Sequence, residues 1–171
     1  MIPALTGKRS LGASGPRLNR ENLVFYTIVL ALHNLVRWVV VLTAAWALVR
    51  AWSGWLGKRP WTTADRRAGT FFGISLDVQF LLGLILAFIS PILRAAYADL
   101  GSLAMQDPFR FFLTEHMPVM VVAVFLAHIG TGVASKAADD TGKHRRAAIW
   151  FTLVALAIVL AIPWFRPLLR L

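Results

Sequence analysis

Four long apolar runs, parted by short polar or basic stretches, set the pattern of this chain. A helix needs about 20 residues to cross the hydrocarbon of a bilayer. The runs that meet this length cover positions 23–49, 71–93, 111–133 and 147–165. Their punctuation agrees with helices. Thr62 with Asp65 reads as a capping box ahead of the second run. Asp107 followed by Pro108 reads as N-cap and N1 ahead of the third. Pro91 ends or kinks the second run, and Gly142 separates the third from the fourth. Positions 92–106 mix Arg94, Tyr97 and Asp99 with Ala and Leu, the pattern of a short amphipathic helix on a membrane surface. The predicted fold is all-α, a four-transmembrane-helix up-down-up-down bundle with a short interfacial helix between helices 2 and 3.

Ahead of this membrane domain (22–171), positions 1–21 carry Lys8, Arg9, Arg17 and Arg20 with Gly12, Gly15 and Pro16, and show no helical period. They read as a flexible basic tail, or as the product of a start codon chosen too early. Ala45-Trp46-Ala47 resembles a cleavage site, but the apolar stretch before it is too long for a signal peptide and holds His33 and Arg37.

Composition sharpens the membrane reading. Of 171 residues 58% are hydrophobic, and the mean hydropathy is +0.66, above the balance of soluble domains. The net charge of +10 lies between apolar runs, with no helix-turn-helix or zinc-finger spacing. It fits topology signals and anionic lipid head groups rather than nucleic acid. Arg50, Lys58, Arg59, Arg66 and Arg67 fill the first connection, and Lys136, Lys143, Arg145 and Arg146 the third. Positive-inside then places the basic loops 50–67 and 136–146 in the cytoplasm and both termini outside, although the basic N-terminal tail argues the other way. Trp52, Trp55, Trp61 and Trp150 gather on the same side as an aromatic belt. Gly69-x-x-x-Gly73 and Gly83 offer close helix approach or are simply tolerated.

The chemistry lies in polar residues within the apolar runs: His33 and Arg37, Asp77 and Gln79, then Glu115, His116 and His128. Ionisable groups there are costly and mark interiors, cofactors or water paths. The chain has no cysteine, so disulfides, thiolate metal sites and thioether-linked haem are excluded. By helical rise, His33 lies about 15 Å and His116 about 8 Å below the same membrane face, a mismatch that tilt absorbs. The two suit either interhelical hydrogen bonding or the axial ligation of one b-type haem between facing helices. His128 lies about 18 Å further along the same helix and roughly 120° around it; it pairs with Asp77 instead. Arg37 needs an anionic partner such as Asp77, Glu115, a haem propionate or an anionic quinone. Pro118 cannot donate to the carbonyl of Thr114, so the helix bends beside His116 and opens space. Met117 and Met120 read as packing, and His144 as a solvated loop residue.

Taken together, Leu-His-Asn-Leu-Val-Arg-Trp at 32–38, Asp-Val-Gln-Phe-Leu-Leu-Gly at 77–83, Glu-His-Met-Pro-Val-Met at 115–120, His-Ile-Gly at 128–130 and Ile-Pro-Trp at 162–164 resemble small four-helix bacterial membrane proteins labelled cytochrome b-like. The resemblance covers about 25–164. It implies a bacterial cytoplasmic-membrane location and points again to His33 and His116. The paired histidines on each of two spans that mark large respiratory cytochromes b are missing. The expected function is a membrane electron-transfer protein or subunit with one haem b, exchanging electrons with quinol, Arg37 and Glu115 tuning the site. Two other readings stay open. One is a cofactor-free accessory subunit of a larger respiratory or photosynthetic membrane complex. The other is a proton or small-solute carrier using Glu115, Asp77 and Arg37.

Overall fold

In the computed structural model, residues 20–99, 101, 106–107 and 109–164 are described. The described residues are helical without a strand. The elements are α1 (Arg20–Leu56), α2 (Thr63–Ile89), α3 (Pro91–Ala98), a π-helical segment (Phe111–His116) that continues into α4 (Met117–Ser135), and α5 (Asp140–Ala161). Four of these stretches, with the π segment and α4 counted as one, are long and apolar enough to cross a membrane. Large apolar side chains point outward, such as Leu42 on α1 and Leu160 on α5. That arrangement suits lipid contact and is costly in water.

Local chemistry explains most helix ends. The Thr62 backbone N–H donates to Asp65 Oδ2 at 2.7 Å, closing the expected capping box of α2. Ser90 ends α2 and caps α3, whose first residue is Pro91. The short helix thus starts where expected, but it is described only as far as Ala98. Gly142 does not separate helices. Asp139 caps α5, its Oδ1 accepting from the Gly142 N–H at 2.7 Å, so the glycine lies inside the first turn. The α1 helix begins earlier than expected, taking in Arg20 and Glu21; the rest of the predicted tail, and the Asp107–Pro108 cap, depend on residues outside those described.

The bend expected at Pro118 takes the form of the π segment. The Met117 N–H donates to the Phe112 carbonyl, five residues back. Proline removes the next donor and crowds the Thr114 carbonyl, so the turn before it widens.

Packing follows a ring in which α1 adjoins α2 and α5, α5 adjoins α4, and α4 meets α2 along the thinnest side. The core is built of small residues on all four helices, with Phe72, Leu76, Phe151 and Val154 filling its centre. Phe72 and Phe151 meet edge to face, ring centroids 5.7 Å apart, a favoured aromatic geometry. Small residues let helix backbones approach, which is how helices associate where lipid supplies no hydrophobic drive. Gly69 serves this role: a Cβ there would lie 2.9 Å from the Phe151 ring. Gly73 does not, since a Cβ there would meet nothing within 4 Å.

Candidate functional site

A partly open cavity of about 180 Å³ lies between α1, α2, the start of α4 and the end of α5. An apolar cavity of about 150 Å³ already takes up benzene, so this space holds at least one ring. Its walls include Leu30, Val40, Leu86, Phe112, Met120 and Ile158, and its polar groups include His33, Asn34, Arg37, Gln79 and His116. The two histidines singled out in the sequence therefore face one space.

Each imidazole is held through one ring nitrogen. His116 Nδ1 donates to the Ala161 carbonyl at 2.7 Å, which fixes the tautomer and leaves Nε2 with a free lone pair. Its ring stands edge-on to Phe112, centroids 5.6 Å apart. His33 Nε2 lies 3.1 Å from the Gln79 side-chain nitrogen. Gln79 is buried, and its Oε1, like His33 Nδ1, has no hydrogen-bond partner. Turning the amide about would set Oε1 against an Nε2–H and leave the lone pair on His33 Nδ1. In either orientation a buried nitrogen of His33 wants a partner, and such orphans are rare in folded proteins. Gly83 makes room for this ring: a Cβ there would lie 3.3 Å from His33 Cε1.

Arg37 lines the cavity with its guanidinium carbon 5.8 Å from the Trp38 ring centroid, within cation–π range. Glu115 does not join it. Its carboxylate pairs with Arg110 at 3.1 Å and is half exposed. Consecutive helical residues project about 100° apart, so turning His116 inward turns Glu115 out. The expected tuning role of Glu115 is lost with that geometry.

His128 and Asp77 meet, Nε2 to Oδ1, at 2.8 Å. The pair bridges α4 and α2 but faces outward, the side chains 57% and 39% exposed, not into the bundle. Glu115, Asp77 and Arg37 thus occupy three separate places.

His144 overturns its expectation most fully. It is completely buried, with Trp61 edge-on at 4.8 Å between centroids and the Pro60 carbonyl 3.5 Å from Nε2. A Cβ at Gly54 would overlap its ring. The signal was present: His144 heads the buried stripe Ala147, Ala148, Phe151 and Val154, and helical spacing outweighs its basic neighbours. Trp61 is accordingly a packing partner, and Trp52 donates to Thr152 Oγ1 at 3.0 Å.

Among the described residues no three His, Asp or Glu side chains gather as a metal cluster. The cavity offers two imidazoles instead. Two protein donors leave most of a metal's coordination sphere open, which suits iron that brings its own equatorial ligands. Imidazole is also a fitting ligand for iron, and a backbone carbonyl behind His116 is the usual support for a ligating histidine. Two imidazoles are the kind of donor set that a b-type haem takes. Comparison with protein-family models, with curated proteins and with solved structures gives no match.

Proposed function

We propose that this protein is an integral membrane electron-transfer protein or subunit that holds one b-type haem between His33 and His116. The observation that carries the reading is that both imidazoles line one cavity, His116 anchored through Nδ1 with Nε2 free, and His33 with a buried nitrogen lacking a partner. When bound, the haem supplies one-electron redox chemistry; the chain supplies ligation, a mostly apolar wall and Arg37. Arg37 is suited to neutralising a propionate, and Asn34 adds a polar group at the same wall. Gln79 steers the His33 ring. A quinol is the expected electron donor.

In this reading the four helices cross a bacterial cytoplasmic membrane up-down-up-down, α3 lies at the surface, and loops 50–67 and 136–146 face the cytoplasm. Residue pairs support antiparallel neighbours, since Arg50 meets Asp65, Thr43 meets Ser75 and His33 meets Gln79. The likeness to cytochrome b-like proteins rests on the residues quoted above.

Detergent-purified protein is expected to give a reduced-minus-oxidised b-type spectrum and haem in a pyridine assay. His33→Ala and His116→Ala should each abolish both signals, and His128→Ala should leave them. Full-length protein without haem, expressed with ample haem supply, would end this reading. One observation favours a second, cofactor-free accessory subunit: the outward Asp77–His128 pair leaves polar atoms for another chain to meet. Haem-free protein that co-purifies stoichiometrically with larger membrane subunits would establish it.

A further inference from the structure

At the end of the bundle away from His33 and His116, the first turn of α2, the last turn of α4 and the first turn of α5 border a second cleft of about 120 Å³. A single water needs roughly 10–15 Å³ of such space, so a group of several atoms can enter. Its buried walls are Gly69, Ala134 and Phe151; toward solvent it carries Arg66, Ser135 and Lys143. The connections at this end, 50–67 and 136–146, hold nine basic side chains against three acidic ones. The one carboxylate among the lining residues, Asp65, is held by its own partners. Oδ1 accepts from Arg50 Nε, and Oδ2 accepts from the Thr62 backbone N–H and hydroxyl. Arg66 is exposed and pairs with no carboxylate among the described residues. Lys143 gives one donor to Asp140 Oδ1 at 3.0 Å and keeps two more. The hydroxyls of Thr131 and Ser135 donate to the backbone carbonyls of Ala127 and Gly132. What the cleft has to spare is therefore cationic N–H donors above an apolar wall.

We infer that this cleft binds the phosphate of an anionic phospholipid, Arg66 and Lys143 holding it from two helices. A guanidinium fork can donate to two phosphate oxygens at once, and an ammonium adds a point charge beside it. The place favours a lipid over a free ion. The cleft lies at the ends of helices long and apolar enough to cross a membrane, the level at which head groups sit. Trp61, which lines it, has the amphipathic ring that settles at that boundary. One to two turns deeper the bordering helices present outward apolar side chains, such as Phe71 and Ile74 on α2 and Ile129 on α4, for acyl chains to cover. Basic pockets between membrane helices are where anionic head groups bind. The surplus of positive charge around the cleft opposes a head group that carries its own cation. The inference is independent of haem.

The test is thermal unfolding of the full chain in detergent against rising phosphatidylglycerol, phosphatidylcholine or inorganic phosphate, since a ligand of the folded state raises the midpoint. Phosphatidylglycerol should raise it saturably, and the other two at the same concentrations should not. Arg66→Gln and Lys143→Gln should each weaken the apparent affinity for phosphatidylglycerol roughly tenfold, the size of one hydrogen bond to a charged group. Arg67→Gln and Arg145→Gln remove equal charge from exposed neighbours that do not line the cleft, and screening should keep their effect under about twofold. Ser135→Glu, at an exposed lining position, puts a negative charge where the phosphate belongs and should abolish the rise. Lipid-free midpoints of all five variants check that each is folded. An equal loss in all four Gln variants would show a diffuse field in place of a site. That result, an equal rise with phosphatidylcholine, an equal rise with inorganic phosphate, no rise with phosphatidylglycerol, or an undiminished rise in folded Ser135→Glu would each overturn the inference.

Discussion

The two ends of the bundle use histidine in opposite ways. At one end His144 is packed against Trp61, over the bare backbone of Gly54. Asp65 there accepts from Arg50 Nε at 2.8 Å, the Thr62 backbone at 2.7 Å and the Thr62 hydroxyl at 2.5 Å. At the other end His33 and His116 border a cavity, with His33 Nδ1 and Gln79 Oε1 lacking any partner. The closed end has a loose end of its own, His144 Nδ1, and a smaller cleft of about 120 Å³ beside Asp65. What differs is the room around the ring. A histidine wedged against glycine holds helices together, whereas two histidines facing one space have atoms left for a ligand.

That contrast can be broken by substitution. The largest expected effect is at the closed end. Gly54→Ala puts a methyl into the His144 ring, and overpacking of this kind costs about 1–3 kcal/mol or more. Thermal unfolding in detergent should show a lowered midpoint, partly restored by adding His144→Ala, because the two changes share one contact. Restoration failing would mean that the glycine matters for another reason. Next, Asp65→Ala leaves Arg50 without its buried partner. Arg50 keeps some solvent contact, with its side chain 26% exposed, so the loss falls below the roughly 3 kcal/mol at the low end for a broken buried pair, and below that of Gly54→Ala.

At the cavity end the same kind of change should spare stability and remove function. Gln79→Leu deletes a buried oxygen that has no partner but also the hydrogen bond to His33 Nε2; the two changes oppose each other, so the midpoint should move by no more than about 1 kcal/mol, while haem content falls because His33 loses its guide. A midpoint as low as that of Asp65→Ala would erase the distinction between the ends. The smallest effect is expected for Gly83→Ala, whose methyl would press His33 Cε1 from 3.3 Å. A few tenths of an ångström of ring movement suffices, with under about 1 kcal/mol of cost. The reduced spectrum, or the potential, should shift while the melt does not.

Much of this was legible in the amino-acid sequence, and the exceptions have physical causes. The four apolar runs stand out because a spanning helix must be apolar over a length set by the bilayer. His33, Arg37 and His116 stood out because polar groups are scarce in such runs. The Asp77–His128 pairing followed from depth alone, but depth says nothing about which way a pair faces, and this one faces out. Glu115 differs from the expectation because adjacency in sequence is not adjacency on a helix. His144 has three basic neighbours in sequence, but helical spacing sets it at the head of a buried stripe. The role of Gln79 depends on the ring across from it, which sequence spacing does not show.

The π segment Phe111–His116 has a last consequence, for insertions and deletions. A five-residue backbone hydrogen bond means that one residue is surplus to an α-helix. Deleting a residue such as Leu113 would let the turn close to ordinary pitch with the helix in register on either side, so that His116 stays in place and the change is confined to the wide turn that carries Phe112. A deletion inside α4 has no such slack and would turn one end of the helix against the other. This short stretch is therefore where the chain can gain or lose a residue and still fold, so the shape of the cavity could be altered by changing length alone.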